Sequence, residues 1–501
     1  MKEPGAILLV ACYELGHQPL AVAWPAAFLE RAGYAPAVMD VSVEPFDGER
    51  VRRAKLVAIS VPMHTALRLG VAVAERVRTV NPACHVAFYG LYATLNADHL
   101  LAGIADSVMS GEIEATLVNL AQTLEREGEG DGTGRGPRGH AAGEVGPPSP
   151  ARSSQSCGSG RVGDGAGRVP PRAPARSASL PRRPVLAKLD FPVPSRASLP
   201  SLKKYAHLER DGRLELVGYV EASRGCKHLC RHCPIPPVYG GRFFVVPVEV
   251  LLADIRQQVD AGATHITFGD PDFLNGPGHA LAVVRALHAA FPRLTFDFTA
   301  KIEHLLRHPD RLPEFARLGC AFVVSAAESL SDTVLAHLDK GHTRADIETA
   351  VQLVPAAGIA LRPTWVPFTP WTTLEDYREL LDFVEAHQLV DAIDPVQYSI
   401  RLLVPPGSLL LESPALRPFL GELVEDQLYH RWTHPDPRID ALHREVSSAV
   451  ATGADRREDA AATFHRVREL ADRTAGVASR PFSAPASDRK RPPRLTEPWF
   501  C

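Results

Sequence analysis

Three of the chain's eight cysteines crowd into one short stretch, Cys226-Lys-His-Leu-Cys230-Arg-His-Cys233, while the other five stand singly. Thiolates gathered this way are soft ligands, suited to iron–sulfur clusters, zinc or copper(I). The spacing is C-x3-C-x2-C. Three thiolates on a four-iron cluster leave one iron without a protein ligand, and an open position is what a catalytic metal needs. The alternative is a structural zinc on Cys226, Cys230 and Cys233 with His228 or His232. Against zinc, no second cysteine or histidine knuckle follows at zinc-ribbon spacing.

Polar side chains recur downstream, each group at the end of a strand-like run. The first is Phe268-Gly269-Asp270-Pro-Asp272-Phe273, in which Gly269 permits close backbone approach and either Asp is a hydrogen-bond acceptor or a helix cap. Next comes Thr299-Ala-Lys301-Ile-Glu303-His304, where Lys301 and Glu303 share one face by parity. The third is Ser325-Ala-Ala-Glu328-Ser329, followed by Lys340-Gly341-His-Thr343. Arg362, suited to pairing with a carboxylate, opens Arg362-Pro-Thr364-Trp365-Val-Pro-Phe368-Thr-Pro-Trp371. Gln397 and Arg401 fall on one face of the last run.

The elements that must position these groups are legible in the patterning. Residues 1–125 alternate strands (Ala6–Cys12, Ala35–Val41, Leu56–Val61, His85–Tyr89, Asp106–Ser110) with helices, which predicts a doubly wound parallel sheet. Ligands bind beyond the carboxyl ends of such strands, here the loops carrying His17, His64, Gly90 and Gly111. Residues 126–184 are Gly, Pro, Ser and Arg with few large apolar side chains, so a disordered linker is expected. Residues 185–218 form a proline-extended bridge. Residues 219–411 repeat a βα pattern six times, the last strand at Val396–Leu403, as in a partial (β/α) barrel with chemistry at its strand ends. Residues 412–501 are expected to be helical (Pro414–Trp432, Ile439–Ala451, Asp455–Thr474) before a Pro-rich tail.

Apolar content of 45% and charged content of 23% suit a globular chain, and a net charge of -3 gives no reason to expect nucleic acid or a membrane surface. No apolar run is long enough to span a bilayer, and the N-terminus lacks a signal-peptide pattern. A cytoplasmic location is therefore expected, in which a cysteine cluster is metal-binding or catalytic rather than disulfide-bonded.

The cysteine spacing resembles the signature of the radical SAM superfamily, and Ala326-Ala-Glu328-Ser329 with Lys340-Gly341-His-Thr343 resembles the G-x-E-S…K-G-x-T string of its cobalamin-associated members. The resemblance implies a [4Fe–4S] cluster on Cys226, Cys230 and Cys233 and S-adenosylmethionine (SAM) at its open iron. It also implies SAM contacts from Gly269, Asp270, Asp272, Lys301, Glu328, Ser329, Arg362 and Gln397. The N-terminal half resembles a cobalamin-binding domain, with His64, Gly90 and Gly111 as candidate contacts, although the D-x-H-x-x-G cobalt-ligand motif is absent and the alternative is a domain that has lost its cofactor. If cobalamin binds, methyl transfer is the leading reaction.

Longer strings resemble the radical SAM proteins named for a Cys-Sec-Ala-Glu-Pro or Cys-Cys-Ala-Glu-Pro tail: Pro62-Met-His-Thr-Ala66, Gly90–Asn96, Thr364–Thr373, Gln397–Ser408 and Glu497-Pro-Trp-Phe-Cys501. That resemblance implies continuation through selenocysteine after Cys501 and a vicinal thiol–selenol pair for redox exchange or metal capture. A small-molecule or peptide substrate and an electron donor such as ferredoxin or flavodoxin are the expected partners. Two other classes stay open: a zinc-stapled binding module without redox chemistry, and a metal- or selenium-handling carrier working through Cys501.

Overall fold

The computed structural model describes residues 1–130, 183–479, 481, 486 and 489–496, and the side chains of all of these except 128–130. Most of the 126–184 linker, Cys157 and Cys501 lie outside the described residues.

The N-terminal lobe is a five-stranded parallel sheet built from β1 (Ile7–Ala11), β2 (Ala37–Asp40), β3 (Leu56–Ser60), β4 (His85–Tyr89) and β5 (Ser107–Met109), in the order β2-β1-β3-β4-β5. The strands are buried apolar runs because helices cover both faces. The order reverses between β1 and β3, so the loops after those strands form the crevice typical of this topology. The helix after β5, Glu114–Gly130, runs five residues past its expected end at Glu125.

The second lobe is a curled, mixed seven-stranded sheet. It comprises β6 (His207–Arg210), β7 (Arg213–Val220), β10 (His265–Phe268), β11 (Thr295–Thr299), β12 (Cys320–Glu328), β13 (Ala360–Trp365) and β16 (Arg494–Leu495), in the order β13-β12-β11-β10-β7-β6-β16. From β7 to β13 neighbouring strands run parallel, whereas β6 is antiparallel to both β7 and β16. A hairpin of β8 (Ser223–Gly225) and β9 (Phe243–Val245) stands above β7, and β14 (Leu420–Val424) pairs with β15 (Tyr429–Trp432).

Two expected elements differ. Pro414–Trp432 is not a helix: it contains the β14–β15 hairpin. Gly421 disfavours helix, the Arg431 carbonyl would meet any Cβ there at 3.2 Å, and Tyr429 and Trp432 prefer an extended backbone. Trp432 is buried and its indole N–H donates to the Leu402 carbonyl at 2.7 Å. Val396–Leu403 forms a 3-10 turn, Pro395–Ser399, and then a single parallel bridge between Phe368 and Arg401. Pro395 and Pro405 bracket this run, and proline cannot donate to a ladder. The sixth strand is thus reduced to one bridge in the sixth-strand position.

The lobes share a core. Leu20, Ala23 and Trp24 of the first helix (Leu20–Arg31) belong to the same apolar cluster as barrel residues such as Val220 and Phe268. Arg196 of the bridge donates to Asp254 (2.8 Å), to the Tyr219 carbonyl (2.7 Å) and to Gln18 of the N-terminal lobe (2.8 Å).

Candidate active site

The three thiols sit on the loop between β8 and a short helix, Pro236–Tyr239, at the carboxyl end of the barrel strands. Gly225 precedes them at φ 77°, and a Cβ there would strike the Arg242 carbonyl and the Tyr239 ring. Only glycine lets the loop leave the hairpin at this point. The loop is then pinned from three sides. Lys227 N–H donates to Asn275 Oδ1 (3.2 Å), Arg231 N–H to the Leu338 carbonyl (2.9 Å), and Ser408 Oγ to the Arg231 carbonyl (3.4 Å). Cys226 and Cys230 are buried. Burial raises the Cys226 thiol, and burial with the neighbouring thiols pushes Cys233 up to about 12. Such thiols give up their protons to a soft metal rather than to water.

Two buried polar groups flank them. Beside Cys230 and Cys233, Glu328 pairs with Lys340 Nζ (3.0 Å) and His232 Nε2 (3.2 Å). Glu328 has φ 65°, just after a register shift in β12, which turns its carboxylate back over the barrel mouth. Burial opposes its ionisation, but Lys340 and His232 outweigh that and hold the carboxyl well below the usual range. On the Cys226 side, Asp272 Oδ2 faces His304 Nδ1 (2.7 Å) and His228 Nε2 (3.5 Å), while Lys301 Nζ donates to His228 Nδ1 (3.1 Å). Burial opposes ionisation of Asp272 too, yet the two imidazoles hold it below the usual carboxylate range. Buried polar atoms without a protein partner gather here: His228 Nε2, His232 Nδ1, Asp272 Oδ2, Asn275 Nδ2, His304 Nδ1 and His342 Nδ1.

The other expected site residues divide by what they touch. Gly269 lies under the Tyr219 ring, with no room for a Cβ. Asp270 accepts from Ala222 N–H (2.8 Å) and Ser223 Oγ (2.6 Å), so it ties β10 to the start of the thiol loop. Ser329 Oγ accepts from Ser331 N–H in a turn before the next helix. Arg362 lies in mid-strand and pairs with Asp394 (2.9 Å). Gln397 Oε1 accepts from Trp365 N–H (2.9 Å). All five meet other protein groups.

In the N-terminal lobe, His64 Nε2 bonds to the Gln427 carbonyl (2.7 Å) between Tyr92 and Tyr429, and His17 stacks on Tyr219. A Cβ at Gly90 would meet the Val61 carbonyl, and one at Gly111 would overlap the Val185 backbone. The cleft between this sheet and the thiol loop is about 170 Å³. Arg224 reaches towards it, paired with Glu112 (2.9 Å) and Glu114 (2.5 Å) and lying over Trp24. Sequence patterning gives no cue for Arg224, Arg196 or Asn275, which reach Glu112, Asp254 and Lys227, 112, 58 and 48 residues away.

Residues 220–384 match the model of the radical SAM superfamily, which places this segment in that superfamily. Curated relatives include the ribosomal protein uS12 methylthiotransferases RimO of Geotalea uraniireducens (28% identical over 179 residues) and Geobacter sulfurreducens (28% over 182). Each alignment takes in 34% of this chain, which spans about 40% of the length of these relatives. The whole fold resembles the cobalamin-dependent radical SAM enzyme OxsB solved with aqua-cobalamin and SAM: TM-score 0.63, 13% identity, 93% of this chain and 72% of that one. It also resembles the radical SAM methyltransferase TsrM of Kitasatospora setae, with TM-score 0.50, 19% identity, and 76% and 71% of the two chains covered. The architecture is thus a cobalamin-binding-like lobe on a radical SAM partial barrel.

Proposed function

We propose that this chain is a radical SAM enzyme that holds a [4Fe–4S] cluster on Cys226, Cys230 and Cys233 and binds SAM beside Glu328. The carrying observation is the barrel mouth itself: three thiols on one loop beside the buried Glu328–Lys340 pair, with His232 Nδ1, Asn275 Nδ2 and His342 Nδ1 buried and without a hydrogen-bond partner. Native interiors leave few such atoms unpaired, so a ligand belongs there. Bound there, the cluster and SAM supply a one-electron reductive cleavage that yields a 5′-deoxyadenosyl radical for hydrogen abstraction.

The chain's own residues do the rest. Lys340 lies beside Cys230 and Cys233 and offsets the negative charge their thiolates bring. The same ammonium keeps Glu328 ionised, an acceptor for SAM hydroxyl or ammonium hydrogens. His232, on the loop between Cys230 and Cys233, steers the other side of that carboxylate. Gly269 lets the Tyr219 ring lie across the strand end. Asp270 and Asn275 fix the thiol loop rather than the cosubstrate.

Gly90 and Gly111 line the cleft beyond the N-terminal strand ends, where this topology binds its ligand and where a cobalamin would sit, while His64 is taken up by the Gln427 carbonyl. No step is assigned to cobalamin. Ribosomal-protein methylthiolation is not carried over either, because the RimO match takes in only a third of this chain. Within the superfamily, the quoted strings favour the group with selenocysteine-containing tails. A low-potential donor such as ferredoxin or flavodoxin supplies the electron, and the substrate is a small molecule or a peptide.

The test is anaerobic reconstitution. About four irons per chain and visible absorption that bleaches with dithionite are expected, followed by release of 5′-deoxyadenosine from SAM. Replacing Cys226, Cys230 or Cys233 with Ala abolishes both. One zinc per chain and no iron-dependent colour overturns the proposal.

A further inference from the structure

We propose that His228, Asp272 and His304 form a second metal site, separate from the thiols, that takes a zinc-like divalent cation. Two imidazoles and one carboxylate are the donor set that borderline first-row cations prefer, and three protein ligands leave a position for a water or a substrate donor. Their donor atoms all lie within 4.8 Å of one another. None of the three atoms, His228 Nε2, Asp272 Oδ2 and His304 Nδ1, has a hydrogen-bond partner, although Asp272 is fully buried and His304 nearly so. Asp272 Oδ2 lies 2.7 Å from His304 Nδ1 and 3.5 Å from His228 Nε2, so the three donors crowd one point.

The framework holds these donors in place without using them up. Asp272 spends its other oxygen, Oδ1, on Leu274 N–H (3.0 Å), which fixes the carboxylate and leaves Oδ2 aimed at the imidazoles. His304 sits in the helix Ile302–Arg307 at the end of β11, and its ring lies 4.7 Å from that of His228. Ligands about 2.0–2.1 Å from a tetrahedral ion stand roughly 3.3 Å apart. The His228–Asp272 separation of 3.5 Å already matches, the Asp272–His304 contact of 2.7 Å has to open, and the two imidazole nitrogens, within 4.8 Å of each other, have to close on the ion.

One group opposes the cation. Lys301 Nζ donates to His228 Nδ1, which places the ring proton on Nε2, the atom that must ligate. For metal binding the proton moves to Nδ1, which Glu303 Oε2 faces from 3.7 Å and can approach as an acceptor. Lys301 is therefore a competitor whose removal tightens the site. Nothing in this assignment depends on radical chemistry.

The experiment uses cluster-loaded full-length protein, so that the thiols are occupied, equilibrated with zinc chloride and desalted. Zinc is then counted by mass spectrometry beside iron. One zinc per chain is expected in addition to the cluster iron. Asp272→Asn and His304→Phe should each lose it at unchanged iron content and cluster absorption, whereas Lys301→Met should bind zinc at least tenfold more tightly. The gain in Lys301→Met cannot arise from misfolding. A triple Cys226→Ser/Cys230→Ser/Cys233→Ser variant should lose iron and keep one zinc, which separates this proposal from the fate of the cluster. No zinc in the parent, zinc retained in His304→Phe, or unchanged affinity in Lys301→Met overturns it.

Discussion

At the scale of single residues, the buried ion pair at the barrel mouth sets the sharpest expectations. Lys340 and Glu328 are both almost fully buried and 3.0 Å apart. Removing one partner of such a pair strands the other charge and costs about 3–5 kcal/mol. Lys340→Met should therefore lower the unfolding free energy measured by urea titration by that amount, and the Glu328→Gln/Lys340→Met double variant should recover most of it. A cost below about 1 kcal/mol for the single variant contradicts the burial described. Asp270 gives a pH dependence. Burial raises its carboxyl from 3.8 to about 7, against hydrogen bonds from Ser223 and Ala222. The folded chain thus holds this proton longer than the unfolded one, so the contribution is complete below about pH 4 and is lost as pH rises through about 7. Asp270→Asn should flatten the decline in unfolding free energy across that window; a slope equal to the parent's refutes the assignment. The thiol loop was legible in the sequence because its chemistry is local. The roles of Asp270 and Asp272 were not, since a carboxylate at a strand end is equally suited to a ligand, a cap or a distant backbone, and only the fold reveals which lies in reach.

At the scale of elements, the βα periods of both lobes were readable because alternating buried strands and amphipathic helices leave different spacings. The β14–β15 hairpin was not, because its apolar residues also fall at helical intervals and only Gly421 and the aromatic pair argue otherwise. The single bridge Phe368–Arg401 reads as a full strand in the sequence for the same reason: apolar runs show where a chain is buried but not whether its amides find a ladder. The β8–β9 hairpin, which carries the thiol loop, joins the N-terminal lobe through Arg224 and the Glu112–Glu114 turn. Arg224→Met should leave the buried Glu112 and Glu114 carboxylates without their cation and loosen both sides together. Hydrogen exchange should quicken at residues 110–116 and 223–233 in step, and quickening confined to one side would contradict a shared anchor.

At the scale of the whole molecule, the sequence shows two lobes of different architecture, but their common core at Trp24 and the Arg196 hub depend on pairs up to 178 residues apart, which no local pattern encodes. Nor does any helix among the described residues have the length and apolarity to cross a membrane. The outermost barrel strand sets a final expectation. Arg494 and Leu495 of β16 pair with Glu209 and Leu208 of β6, and Leu495 packs against an apolar cluster that includes Val217 and Phe322. Removing residues 494–501 should expose the β6 edge and produce concentration-dependent association by light scattering; a truncated chain that stays monodisperse contradicts it. The same pairing has a consequence in time. Its two halves are separated by 285 residues of chain. At translation rates of about 5–20 residues per second, roughly 15–60 seconds pass between synthesis of β6 and arrival of its mate. Through that interval the β6 edge of the nascent barrel is bare, open to pairing with other strands until β16 is made.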